Sequence, residues 1–163
     1  MIKVVIDSIR VSLMSPHRVI LLKETDSERR LPIWIGPFET DAIVVELQQV
    51  ETARPLTHDL LKNTIEELGG TVSHVLVNEL RDDYFTARVF VDQNGKLLEI
   101  DSRPSDAVAL AVRAKVPVFV AEEVMEEAGV LPEEEILSLE AGEIPDENLD
   151  AFADFLDSLD LDD

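Results

Sequence analysis

Residues 84–120 read YFTARVFVDQNGKLLEIDSRPSDAVALAVRAKVPVFV, and this stretch decides the fold. Phe85, Ala87, Val89 and Val91 alternate with Tyr84, Thr86, Arg88 and Phe90, the period-two pattern of a strand with one face buried. Asn94–Gly95 then marks a two-residue hairpin, because both residues tolerate the positive φ that such a turn needs. KLLEID returns as the partner strand. Pro104 opens a helix with Ala107, Leu110, Ala111 and Ala114 on one stripe, and Val116 to Val120 forms a short strand. Hairpin strands followed by a helix and another strand point to α+β rather than to a repeating βαβ fold.

Working outward, Thr71 to Leu80 reads as a strand, with Asp82–Asp83 as the turn after it. A helix from Thr57 carries Leu60, Leu61, Thr64, Ile65 and Leu68, and stops at Gly69–Gly70. Phe38, Ala42 and Val45, with Ile43, Leu47 and Val50, predict an earlier helix after Gly36. Residues 1–35 predict three strands. Ile2, Val4 and Ile6 alternate, the phase slips near Asp7–Ser8 as at a bulge, and Ile9, Val11 and Leu13 alternate again. Ser15–Pro16–His17 turns into RVILLKE, and Thr25–Asp26–Ser27 turns into RRLPIWIG. A helix over 121–128 closes the series. The expectation is an α+β domain over residues 1–130, a mostly antiparallel sheet rolled around helices, followed by an acidic tail over 131–163. That tail predicts either a short amphipathic helix (Leu149, Phe152, Phe155, Leu156, Leu159) or a mobile segment.

The chain has 163 residues, 45% of them hydrophobic, and no cysteine, so disulfides, thiol catalysis and Cys-ligated metals are excluded. Of 35 acidic residues 17 lie in the last 42 positions, where there is no Lys or Arg. The first 121 residues, with 14 basic and 18 acidic side chains, carry only −4 of the net −21. No basic face is written into the composition, which argues against tight stoichiometric binding to a polynucleotide but not against transient contact. No apolar run approaches a membrane span, and MIKVVIDSIR interrupts the apolar stretch a signal peptide needs. A soluble cytoplasmic protein is the expectation.

Two segments crowd polar residues around an X-Pro that opens a helix: Arg54-Pro55-Leu56-Thr57-His58-Asp59 and Asp101-Ser102-Arg103-Pro104-Ser105-Asp106. One reading is purely structural, with Thr57, Asp59, Ser102, Ser105 and Asp106 capping helices and the arginines pairing with nearby carboxylates. The other is a phosphate-handling site. On it His58 moves a proton, aided by Asp59, while Arg54 and Arg103 meet phosphate oxygens and Thr57 and Ser105 bind substrate. Asp101 and Asp106, helped by Asp59 or Glu39, would hold Mg²⁺ or Mn²⁺. The two segments converge only if their helices lie side by side. His17 and His74 stand alone, Glu39 and Glu46 sit two turns apart on one helix edge, and Trp34 reads as core or subunit contact. No zinc, P-loop, dinucleotide-binding or serine-hydrolase motif occurs.

RRLPIWIGPFETDAI, RPLTHDLLKNTIEELGG and IDSRPSDAVALAVRAKVPVFV, in this order and at these separations, resemble the bifunctional nuclease family. The resemblance covers roughly residues 1–130, and the acidic end is similar to the tails of bacterial members. It implies an α+β roll, an oligomer, and cleavage of DNA and RNA as transient substrates; apolar helices, Trp34 and free sheet edges make a symmetric dimer the first expectation. The alternative function is a non-enzymatic module that binds an anion or a protein partner, with the acidic tail as a docking or autoinhibitory segment.

Overall fold

The computed structural model describes residues 1–11 and 16–132. Expectations for Leu13, for Ser15 in the first turn and for the tail from residue 133 lie outside the described residues. The elements are β1 (Ile2–Val11), β2 (Arg18–Glu24), β3 (Arg30–Ile35), α1 (Pro37–Leu47), α2 (Thr57–Glu67), β4 (Gly70–Arg81), β5 (Tyr84–Gln93), β6 (Lys96–Ser102), α3 (Pro104–Ala114), β7 (Val118–Val120) and α4 (Glu122–Ala128). They make the α+β domain expected, with one seven-stranded sheet in the order β3-β2-β1-β7-β4-β5-β6.

Two antiparallel blocks, β1–β3 and β4–β6, are joined by the three-residue β7. It pairs antiparallel with β1 and parallel with β4. The register of β1 against β2 slips between Ile6 and Ser8, so the extra residue keeps Val4, Ile6 and Ile9 all turned toward the core. Leu31, Ile33 and Ile35 of β3 enter the core, while Pro32 and Trp34 take the other face. Both expected turns rest on left-handed backbone: Asp82 and Asp83 at φ 50° and 65°, Asn94 and Gly95 at 54° and 81°. The Gly95 N–H donates to Asp92 Oδ1 at 3.0 Å, which closes the second turn.

The middle of the fold is α3. Pro104, Ser105, five consecutive residues from Ala107 to Ala111, and Arg113 are all buried. Its alanines let the sheet, α1 and α2 approach on several sides, so the burial is far wider than the single stripe read from the sequence. The flanking helices bury less than their apolar spacing predicts. On α1 only Thr40 and Ile43 are buried, and Phe38 is 82% exposed. On α2 no residue is buried, and of its apolar stripe Ile65 packs against the core while Leu60 remains largely exposed. Both helices ride on the rim of α3 instead of lying between layers.

The sheet also curls. In a flat sheet of this order β3 and β4 would stand four steps apart, roughly 19 Å at about 4.8 Å per step. Instead, residues of β3 and of the β4–β5 turn line one groove together with the start of α3 and the end of α4.

Candidate active site at three helix starts

The first turns of α1, α2 and α3 meet. His58, second residue of α2, places Nε2 2.9 Å from Oδ1 of Asp106, third residue of α3. The other Asp106 oxygen, Oδ2, accepts from Arg103 Nε at 2.8 Å. Arg103, the N-cap of α3, also donates through Nη1 to Glu39 Oε1 in the first turn of α1, at 3.3 Å. The result is a chain, His58–Asp106–Arg103–Glu39, that crosses three helices. Side-chain exposure rises from 13% at His58 through 30% at Asp106 to 64% at Arg103 and falls back to 26% at Glu39. Carboxylates in first turns are favoured there by the positive end of each helix.

Burial by itself would raise the Asp106 carboxyl. Hydrogen bonds from Arg103 and His58, together with their charges, outweigh it and hold Asp106 below its ordinary value. Arg103 is raised in turn, chiefly by the hydrogen bond and charge of Asp106. An ionised carboxylate only accepts, so Nε2 of His58 carries the proton and Nδ1 of the neutral ring keeps its lone pair. The imidazole is thus oriented by a fixed anion and has a free base position.

Asp59, expected beside His58 in the same chemistry, engages different partners. Its Oδ2 accepts the Leu56 N–H at 2.8 Å, capping α2, and its Oδ1 accepts from Arg113 Nε at 2.9 Å. The Arg113 side chain is 2% exposed; its Nη1 donates to the Ala109 carbonyl at 2.8 Å, and its Nη2 is buried without a partner. Desolvation pushes Asp59 up, but the Leu56 N–H and Arg113 overcome it, and the net shift is downward. Asp59 therefore ties α2 to α3 one residue from His58. Sequence reasoning passed over Arg113, yet its signal was available: the one cation within the alanine-rich stretch from Pro104 to Ala114.

The remaining candidates are dispersed. Arg54 lies exposed before α2, its carbonyl accepting from Thr52 Oγ1, and Thr57 is exposed at the first position of that helix. Ser105 is 8% exposed and lines the groove. Asp101 projects from β6 with its side chain 81% exposed and pairs with Arg88 on β5. Neither α2 nor α3 has a side-chain hydroxyl cap; Ser102 Oγ donates to the Arg103 carbonyl instead. Of the residues singled out, the structure brings together His58, Arg103 and Asp106, with Glu39 completing the chain.

Of the two residues expected to hold Mg²⁺ or Mn²⁺, Asp101 pairs with Arg88, and the two Asp106 oxygens pair with His58 and Arg103. Among the described residues, no three His, Asp or Glu side chains cluster in a way that could hold a metal ion. No helix among them is long and apolar enough to cross a membrane.

Arg103 and Ser105 open onto the groove, which has a volume of about 820 Å³. Trp34 and Ile35 of β3 line it together with Tyr84 and Phe85 after the β4–β5 turn. The N-terminal end of α3 therefore borders this groove.

Comparison with known proteins fits this geometry. Two Mycobacterium tuberculosis proteins, both uncharacterized, are 39% identical over 155 residues, covering 95% of this chain and 93% of theirs. Bifunctional nuclease 2 of Oryza sativa subsp. japonica is 33% identical over 110 residues, 65% of this chain and 34% of the rice protein. Bifunctional nuclease 1 of Arabidopsis thaliana is 31% identical over the same length and again spans 34% of that protein. The bifunctional nuclease domain matches residues 20–133, which contain all of the His58–Asp106–Arg103–Glu39 chain and all the residues that line the groove. By that match this chain belongs to the bifunctional nuclease domain family.

Proposed function

We propose that this protein is a nuclease that hydrolyses phosphodiester bonds of DNA and RNA at the His58–Asp106–Arg103 cluster. The observation that carries the reading is the use of both Asp106 oxygens, one holding the His58 imidazole and the other the guanidinium of Arg103, which itself lines the groove. With its proton fixed on Nε2, His58 takes the proton of an attacking water at Nδ1 as that oxygen bonds to phosphorus. The bond from phosphorus to the leaving oxygen breaks, and His58 returns the proton to that oxygen. Arg103 stands where its guanidinium meets the negative charge that builds on the phosphoryl oxygens. No step is assigned to a metal, since the carboxylates are engaged. A requirement for Mg²⁺ or Mn²⁺ would mean that Asp101 and Asp106 exchange Arg88, Arg103 and His58 for the ion.

Self-association belongs to the same proposal: Phe38 and Leu68 are 82% and 72% exposed, apolar surface that a second copy would cover. Sedimentation of the full chain reads the mass directly.

The test is cleavage of plasmid DNA and of a fluorescent single-stranded RNA with Mg²⁺, Mn²⁺ or EDTA, beside a His58→Ala variant purified identically. Activity lost in a folded His58→Ala protein supports the assignment. Equal activity in both places the chemistry elsewhere or in a contaminant. No cleavage by either protein favours the non-enzymatic anion-binding module.

A further inference from the structure

Beyond the chemistry of the cluster, the geometry of the groove points to what occupies it: we infer that the groove binds unpaired nucleobases, so that the substrate is single-stranded nucleic acid. For cleavage this rests on the proposed nuclease reading, but the binding it asserts stands separately. Tyr84 is 76% exposed at the groove, an unusual position for a large ring with no covering side chain. Phe85 follows it, half-buried, and Trp34 lines the same groove, held edge-on to His17 with ring centroids 6.3 Å apart. Arg103 shares the lining with these rings and is hydrogen-bonded to Asp106, which holds His58.

Flat rings beside a guanidinium suit bases with their phosphates turned toward α3, because every base offers a π-face whatever its sequence. A duplex offers no such face, since its bases are stacked on each other inside. Charge gives the strand no help: besides Arg103 the groove is lined by Glu39, Asp83 and Glu127, a net negative set, and Glu39 already answers Arg103. The lining repels phosphates, so binding rests on stacking and should hold or strengthen as salt is raised. The Tyr84 ring is the specificity element, and it lies outside the three sequence motifs.

The experiment measures fluorescence anisotropy of a short labelled oligothymidylate, the same strand with abasic units, and a duplex of equal length. Full-length His58→Ala protein is used so that nothing is cut. Base-containing single strand should bind about tenfold or more tightly than either of the others. Tyr84→Ala should lose that preference and Tyr84→Phe should keep it. Because Tyr84 is exposed, its replacement leaves the core untouched. Equal affinity for the abasic strand or the duplex overturns the inference, even if the wild-type protein cleaves. Base-dependent binding without cleavage by wild type keeps the groove and removes the nuclease.

Discussion

Replacing Arg113 tests whether the tie between α2 and α3 is energetic or only geometric. Arg113→Met keeps most of the buried stem and removes the guanidinium. Two hydrogen bonds go: the charge-assisted one to Asp59 at 2.9 Å and the one to the Ala109 carbonyl at 2.8 Å. The first is worth about 1.5–3 kcal/mol and the second about 1 kcal/mol. Against this, the variant no longer buries the unpartnered Nη2, a relief of about 1–2 kcal/mol. Removing one partner of a fully buried pair costs about 3–5 kcal/mol, but the Asp59 side chain is 31% exposed and keeps the Leu56 N–H, so it rehydrates. The net expectation is a destabilisation of about 2 kcal/mol, read as a lower urea midpoint at unchanged slope. Pairing Arg113→Met with Asp59→Asn in a double-mutant cycle should return a coupling of about 1 kcal/mol or more. A midpoint within error of wild type, or a coupling near zero, would refute the reasoning.

Acid should expose the same carboxylates. Asp59 and Asp106 are both held below the ordinary aspartate value of about 3.9, so between their folded and unfolded values the unfolded chain binds more protons. Their contribution is complete above about pH 5 and is lost as pH falls through 4 and on through the folded values. Urea midpoints measured down to about pH 3 should show the loss, and Asp106→Asn should flatten it. In the core, Leu110 is 1% exposed at the centre of α3, and Leu110→Ala should cost about 2–5 kcal/mol by calorimetry or urea melts. Gly95→Ala meets no atom within 4 Å but must hold φ +81°, so it should cost about 1 kcal/mol from the backbone alone. A larger loss there would mean that the turn packs against something.

The strands were legible because their signals are local. A slip in apolar phase marked the bulge of β1, and Asn94–Gly95 marked a turn that its φ values bear out. The burial of the helices was less legible, since a helical stripe such as Leu60–Leu61–Ile65–Leu68 does not say how much surface waits opposite it. Alanine-rich α3, whose stripe looked narrow, turned out to be enclosed on nearly all sides. At the site, the two Arg-Pro segments displayed the right chemical types, but their pairing depends on α2 and α3 lying together. That juxtaposition separates His58 from Asp59, two neighbours with the same apparent role, into one residue of the chain and one anchor. Tyr84 was invisible as a groove residue because it shares a groove with β3 although four strand steps separate β3 from β4 in the sheet order.

The most direct test is the initial rate of single-stranded RNA cleavage by wild type and by Asp106→Asn, each shown to be folded by its near-ultraviolet dichroism. The amide cannot serve as the fixed anion that holds the proton on Nε2 of His58, so the rate should fall by about 10²-fold or more. Equal rates would contradict the assignment of the chemistry to His58 and Asp106.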